Sequence, residues 1–305
     1  MAVRYKFARR ILPYFAAPFI RMPKNSLPFY LLLITWMIAG SSEATAQFYI
    51  GPTLSASVSK LDYFKAIDDK ALDALPSPGF NTGVTFSRRI KNKFVWNASL
   101  QYAQKFQANK DNAEGGYHNK FVMRYIELPI TYMVEFDHKV GKQAAGYNRD
   151  FKWFFGGGPV VSYWLASNGK FESVNTFLAA RSPIEYKVRF SPVPVGYAPG
   201  NRKTDEMFLP GANRAQFALS ATAGFSLQPI GYQKIVVALN AEIGQTLLSK
   251  KGAGYFPTSP LDIVNLKTYV HTIRLSATYL FDLKIEDSRR GKSLQPDMKK
   301  GRKVK

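Results

Sequence analysis

Few side chains in this sequence are suited to acid–base or nucleophilic chemistry. It contains no cysteine, which excludes disulfides, thiolate metal sites and cysteine nucleophiles, and it has three histidines. A catalytic histidine needs a nucleophile or a second titratable group beside it. His118 and His138 fall in connections, and His271 is followed by Thr272 and Ile273 rather than by a serine two residues on. The sequence therefore predicts no catalytic residue, no cofactor and no metal site.

Three charged residues stand out because they occur among small polar residues: Glu127, Glu242 and Arg274. If they meet, they could form a gate or an ion path, or they could pair as a cluster that fills an interior. Unpaired buried charge is costly, so pairing is expected. Which of the two roles applies depends on the elements that carry the three residues.

Those elements alternate between apolar and polar residues with a period of two, which is the pattern of strands with two different faces. Most span about 9–13 residues, the length that crosses a bilayer as a tilted strand, whereas strands of soluble sandwiches have about 5–6. We predict eight strands: about 48–59, 80–88, 94–106, 124–136, 152–165, 216–227, 235–247 and 269–281.

The chemistry of the two faces is the reverse of that in a soluble barrel. One face carries Phe, Leu, Ile and Val, and the other carries Ser, Thr, Gly and Asn with an occasional charge. The sequence thus predicts an all-β fold, an eight-stranded antiparallel up-and-down transmembrane β-barrel with its apolar face in lipid and a narrow polar lumen. Eight strands leave room for little but side chains, which favours the structural role for the charge cluster. Aromatic girdles are expected from Trp96, Trp153, Tyr163, Trp164, Tyr279 and Phe281.

The connections predict the orientation, because bacterial outer-membrane barrels have long outer loops and short inner turns. The long connections, expected outside, are about 60–79, 107–119, 166–215 and 248–268; the others, expected in the periplasm, are about 89–93, 137–151 and 228–234. A stretch as long as 166–215 without regular structure is usually functional or disordered. It is the predicted binding loop.

Both ends of the chain indicate export. A twelve-residue apolar run at 29–40 follows basic residues and precedes Ala44 and Ala46, which predicts a signal peptide over 1–46 with cleavage before Gln47; Met22 is a second candidate start. Twelve helical residues rise only about 18 Å, too short for a membrane anchor. The barrel then spans 47–283, and 284–305 is a basic, disordered tail in the periplasm. More than half of the net charge of +21 lies in the two ends, which disfavours nucleic-acid binding.

With the strands placed, the chain resembles the PorT-like family of outer-membrane β-barrels from the Bacteroidota. The resemblance covers about 47–283, and YIELPI is its most specific segment. The matching segments are the signal-peptide end at Ala46–Gln47, FYIGPTLSAS, YIELPITYMV, GGGPVVSYWL, AGFSL and LSATYLF. It implies an eight-stranded barrel in the cell outer membrane and, for some members, a part in type IX secretion or gliding. The basic tail after Leu283 departs from the family pattern, in which the chain ends at the aromatic residue of the last strand.

Three functions follow as hypotheses. The first is a non-enzymatic envelope or secretion-associated barrel that binds partners through its extracellular loops. The second is an outer-membrane lipid-modifying enzyme using His271, and the third is a small-solute channel, which a filled bore disfavours. The expected partners are outer-membrane lipid and lipopolysaccharide, the barrel-assembly machinery that reads Phe281, and other envelope or secretion proteins.

Overall fold

The computed structural model describes residues 48–64, 72–91, 93–111, 118–138, 150–173, 183–194, 205–228, 233–250, 253–256 and 259–283. All of them lie in the second of two compact units, Ala46–Lys305. No helix within these ranges is long and apolar enough to span a membrane. The predicted signal peptide over 1–46, its cleavage site at Ala44, Ala46 and Gln47, and the basic tail 284–305 lie outside the described residues and stay predictions.

Eight strands close into a ring in the described part of the chain. In ring order they are β1, β3, β4, β5, β6, β9, β10 and β13; each pairs antiparallel with the next, and β13 returns to β1. This confirms the predicted eight-stranded antiparallel up-and-down barrel. The thirteen strands in these ranges are β1 (Phe48–Tyr63), β2 (Leu72–Leu75), β3 (Ser77–Lys91), β4 (Phe94–Asp111), β5 (His118–His138), β6 (Asp150–Glu172), β7 (Ile184–Arg189), β8 (Asp205–Phe208), β9 (Ala215–Gln228), β10 (Gln233–Gly244), β11 (Ala253–Phe256), β12 (Ser259–Asn265) and β13 (Thr268–Asp282).

The period-two pattern places the side chains as predicted. On β1, Leu54 is 65% exposed on the outer face, whereas the residues on either side of it, Thr53 and Ser55, point inward and are buried. Alternation of this kind fixes the register, because a slip by one residue would exchange the two faces of a strand.

The outer face carries a continuous apolar belt. On β5 every second residue from Ile126 to Phe136 is apolar and faces outward. Ten residue steps of about 3.3 Å, tilted by about 40°, give a height near 25 Å, which matches the apolar band of an outer-membrane barrel. Large side chains on the belt that are at least 45% exposed are Leu54, Val58, Phe80, Val84, Leu100, Trp153, Phe155, Val161, Leu239, Ile243, Ile273, Leu275 and Phe281.

The two ends of the ring differ. We call the end that holds Phe48, Asp282 and the β3–β4 connection the turn end, and the opposite end the loop end. At the loop end β7, β8, β11 and β12 continue the sheet outward from β6, with β7 and β8 parallel, and we call these four strands the loop-end sheet. Near the same end, β2 adds to β4.

The predicted structureless connection 166–215 is therefore wrong. β6 continues to Glu172, and β7 and β8 follow within the same stretch. The connection 248–268 likewise contains β11 and β12, and 60–79 contains β2. The sequence missed these elements because strands of four to seven residues show too few alternations to stand out from a loop. The seventh predicted strand, 235–247, was also too long, because β10 ends at Gly244.

Glycines let β6 approach β5 closely. A Cβ atom added at Gly156 would overlap the carbonyl oxygen of Tyr132, and one added at Gly158 would overlap that of Ile130. Because both neighbouring atoms belong to backbone, neither can move aside without opening the ladder. The glycine run is thus a packing requirement of a narrow ring.

The belt predicts a depth-dependent cost of charge. Leu239 lies near the middle of β10, with its outer-face neighbour Leu275 across the strand pair. Leu239→Arg should lower the free energy of unfolding in lipid vesicles by about 2–4 kcal/mol, and Gln233→Arg, at the turn end of the same strand, by about 1 kcal/mol or less. Urea titration followed by tryptophan fluorescence measures both. Equal costs at the two positions would contradict a belt buried in hydrocarbon.

Candidate functional site

The lumen is crossed near mid-height by a buried charge network. Arg274 on β13 donates from Nη1 to Glu127 Oε2 at 3.1 Å and contacts Glu242 through Nη2. Lys105 on β4 completes the network, with Nζ 2.6 Å from Glu127 Oε1 and 3.9 Å from Glu242 Oε2. Two carboxylates thus face two cations, and all four residues are buried.

Two neutral amides add hydrogen bonds to this network. Asn81 donates to Glu127 Oε2 at 3.0 Å, and Gln101 accepts from Arg274 at 3.1 Å. Burying charge costs several kcal/mol per ion unless pairing and hydrogen bonds offset it, and here both are present. The network thus connects β4, β5, β10 and β13 across the lumen.

The structure brings together the three residues that the sequence singled out. Glu127, Glu242 and Arg274 come from β5, β10 and β13, and Arg274 bridges the two carboxylates. Lys105 was not predicted. Its signal was present, because the inward alternation of β4 through Ser99 and Gln101 reaches Lys105 two steps later.

A second cluster of charges lies nearer the turn end. Glu135 on β5 contacts Arg89 at 2.7 Å and pairs with Lys234 on β10. Both Glu135 and Lys234 are buried, and apolar side chains surround them at this level. The apolar residues are Tyr49, Val95, Met133, Phe154, Val236, Ala238 and Leu280.

Between the two charged levels the lumen holds hydroxyl groups that bond to one another. Thr53 Oγ1 lies 2.9 Å from Thr278 Oγ1, and Thr85 Oγ1 lies 2.7 Å from Ser99 Oγ. These small polar side chains are the lining that the sequence predicted. They fill a narrow bore with hydrogen bonds from one strand to the next.

At the loop end the interior is instead apolar and aromatic, which the sequence did not predict. Tyr125 stacks on Trp164 with ring centroids 6.2 Å apart, and Phe171 on β6 packs against Phe256 on β11 at 5.0 Å. We call this the loop-end core. Its other buried members are Leu61, Tyr63, Ala74, Ala103, Phe121, Met123, Tyr186, Val188, Met207, Leu209, Leu248, Val264, Leu266 and Val270.

The loop-end core corrects one girdle assignment. Trp164 is fully buried inside the barrel, and its Nε1 donates to the Ala166 carbonyl at 3.1 Å. A register shift between β5 and β6 occurs opposite this residue, between Arg124 and Tyr125. Of the other predicted girdle residues, Trp153, Tyr163 and Phe281 are exposed on the outer face.

Side-chain contacts within this core join the loop-end sheet to the ring. Tyr186 on β7 donates to Asn119 Oδ1 on β5 at 2.7 Å, and its ring packs edge-on against Phe256. Met207 on β8 is buried in the same cluster. The sheet is therefore an ordered extension of the barrel wall, with its outward residues exposed.

The histidines do not converge. His118 and His138 are the first and last residues of β5, at opposite ends of the barrel. His271 faces outward, with Nε2 3.4 Å from Asp62 Oδ2. Its other outward neighbours are Lys60, Ile243, Tyr269 and Ile273, none of which is a serine or threonine. Within the described ranges, no group of three His, Asp or Glu side chains is arranged to hold a metal ion.

Comparison with known proteins agrees with this geometry. A family model described as outer membrane protein beta-barrel domain matches residues 41–228, more than half of the 305-residue chain. The chain belongs to this family. It is accordingly an outer-membrane β-barrel protein, which confirms the predicted location in the outer membrane.

Solved structures match at low identity. Neisserial surface protein A (NspA) is 10% identical, with 79% of this chain and 100% of that chain covered and a TM-score of 0.33. The outer membrane protein OprG from Pseudomonas aeruginosa is 14% identical, with 77% and 95% covered and a TM-score of 0.40. The outer membrane protease OmpT from Escherichia coli is 10% identical, with 78% and 96% covered and a TM-score of 0.27. Matches at this level do not bear on function. No curated protein matches the chain.

The charge network gives a stability prediction. Arg274→Met leaves Glu127 and Glu242 facing Lys105 alone, so the free energy of unfolding should fall by about 3–5 kcal/mol. The double variant Arg274→Met, Glu242→Gln keeps one carboxylate, Glu127, for one cation, Lys105. It should therefore recover most of the lost free energy of unfolding. Urea unfolding of the three proteins in vesicles, followed by fluorescence, tests this. A single variant within about 1 kcal/mol of the parent would contradict an ion-paired interior.

Proposed function

We propose that this protein is a non-enzymatic outer-membrane barrel that binds a partner protein at the cell surface through its loop-end sheet. The observation that carries the proposal is the contrast between the two parts of the barrel. The described inward side chains of the ring are mostly buried, whereas the loop end builds exposed sheet beyond the apolar belt. A filled bore supports neither the channel hypothesis nor a luminal substrate site.

The proposed orientation has the loop end outside the cell. Two observations support this orientation. The loop end carries the long connections, and β1 begins and β13 ends at the turn end, as in outer-membrane barrels generally. The tail 284–305 would then lie in the periplasm. Lipid and lipopolysaccharide would surround the belt, and the assembly machinery would read the end of β13 at Phe281.

The sequence resemblance to PorT-like barrels suggests the process. On that basis we place the protein in an envelope or secretion complex, as an accessory component of type IX secretion or gliding. The loop-end sheet offers the partner exposed charged side chains on β7, namely Glu185, Lys187 and Arg189, and the exposed ring of Tyr255 on β11. Val193, in the segment that follows β7, is also exposed.

The lipid-modifying alternative rests on His271 and Asp62 alone. A histidine–carboxylate pair near the loop-end edge of the belt could orient a general base. Lipid hydrolysis by this route would also need a nucleophile, and the outward neighbours of His271 supply no serine or threonine hydroxyl. The geometry therefore favours a surface ion pair.

Site-specific photo-cross-linking in living cells tests the partner proposal. A photoreactive phenylalanine analogue at Tyr255 or at Val193 should yield a discrete protein adduct, and the same analogue at Leu239 in the belt should yield none, because lipid surrounds that position. Mass spectrometry of the adduct should identify a secretion or gliding component. An adduct only from Lys93 at the turn end would contradict a partner at the loop end, and an adduct with an unrelated assembly would contradict the secretion role.

A further inference from the structure

A groove of about 1220 Å³ runs across the outward faces of β3, β4, β5, β6 and β7 at the loop end. It lies on the outside of the barrel wall, apart from the lumen. Its lining includes four apolar side chains: Pro78, Phe106, Val122 and Leu165. Such a surface above the belt is unexpected if this region meets only water.

Cations line the same groove, interspersed with these apolar side chains. They are Lys120, Arg124, Lys170, Lys187 and Arg189, against one carboxylate, Glu185. Lys170 pairs with Glu185 at 2.7 Å, and Arg189 pairs with Glu206 at 2.7 Å. The hydrogen bond with Glu185 raises the pKa of Lys170, so this lysine stays protonated at neutral pH.

Three of these cations have no carboxylate partner among the residues that the structure describes: Lys120, Arg124 and Lys187. The strand register also sets Lys120 directly opposite Lys170. Like charges at opposed positions destabilise a sheet, and an anion between them would relieve the repulsion. Asn168, directly opposite Lys187, has a buried Oδ1 that accepts no hydrogen bond.

The position of the cations relative to the belt identifies the kind of anion. On β5 the outward residues in order are Lys120, Val122, Arg124, Ile126 and Leu128, so positive charge gives way to the belt within two residues. Successive outward residues are about 6.6 Å apart along a strand. A ligand that spans these cations and the adjoining belt therefore carries phosphate at one end and acyl chains at the other.

We propose that the groove binds a phosphorylated, acylated glycolipid of the outer leaflet, that is, lipid A or its equivalent. The phosphates lie among Lys120, Arg124 and Lys187, a sugar hydroxyl or amide donates to Asn168, and the acyl chains run from Arg124 over Ile126 and Leu128 of the belt. A soluble polyanion would make no contact with the belt that adjoins these cations. The inference rests on the proposed orientation, in which the loop end faces the outer leaflet.

Binding of purified bisphosphorylated lipid A to the full-length protein in detergent, measured by native mass spectrometry, tests the groove. Lys120→Gln with Lys187→Gln should weaken binding about twenty-five-fold, since each cation near an anionic lipid surface contributes about five-fold. The matched control, Lys60→Gln with Lys250→Gln, removes two exposed cations elsewhere and should change binding less than about two-fold. Dephosphorylated lipid A should bind the parent as weakly as lipid A binds the groove variant.

Equal losses in the groove and control variants would overturn the proposal, because binding would then follow net charge alone. So would a deacylated headgroup or heparin that binds as tightly as lipid A, since the groove would then be a site for soluble polyanions. All substituted side chains lie on the surface, and circular dichroism checks that each variant keeps its strands.

A separate measurement distinguishes failure of the groove from failure of the orientation. Because the chain has no native cysteine, Lys250→Cys at the loop end provides a single thiol. A membrane-impermeant maleimide should label it on intact cells. Labelling without lipid A binding would overturn the groove alone, whereas labelling only after the outer membrane is broken would overturn the orientation and, with it, the outer-leaflet ligand.

Discussion

A backbone that crosses hydrocarbon meets no water, so each N–H and C=O group must find its partner within the protein. This chain meets that constraint by pairing β13 with β1 and β6 with β9, which closes eight strands into a ring without an edge in the belt. Closure of the ring also determines which side chains face lipid and which face the bore. Alternate side chains must face lipid and are apolar, and the others are enclosed in a bore too narrow for much besides themselves.

Because the bore is enclosed, the charged side chains inside it pair with opposite charges. Arg274 and Lys105 face Glu127 and Glu242 at one level, and Arg89 and Lys234 face Glu135 at another. Hydroxyl groups bond across the space between, and aromatic rings fill the mouth. The loop-end sheet and the groove lie on the outside of this barrel wall.

The sequence predicted the parts of this molecule that repeat with period two. All eight ring strands, their faces and the inward position of Glu127, Glu242 and Arg274 follow from alternation. It did not predict that β7, β8, β11 and β12 exist, because such short strands lack a periodic signal. Trp164 was misplaced for a related reason: at the loop end the same inward positions become large and apolar, so polarity no longer tells lumen from lipid. The groove was missed because it needs residues from five strands, and their register is a property of the fold.

The central claim is that the apolar face of a closed ring lies in lipid. The most direct measurement combines urea extraction of isolated outer membranes with electrophoresis of the protein before and after boiling. The account predicts that the protein stays in the membrane pellet and that the unboiled form migrates faster than the boiled one, because the closed barrel stays compact in detergent. Release by urea together with equal mobility before and after boiling would contradict it.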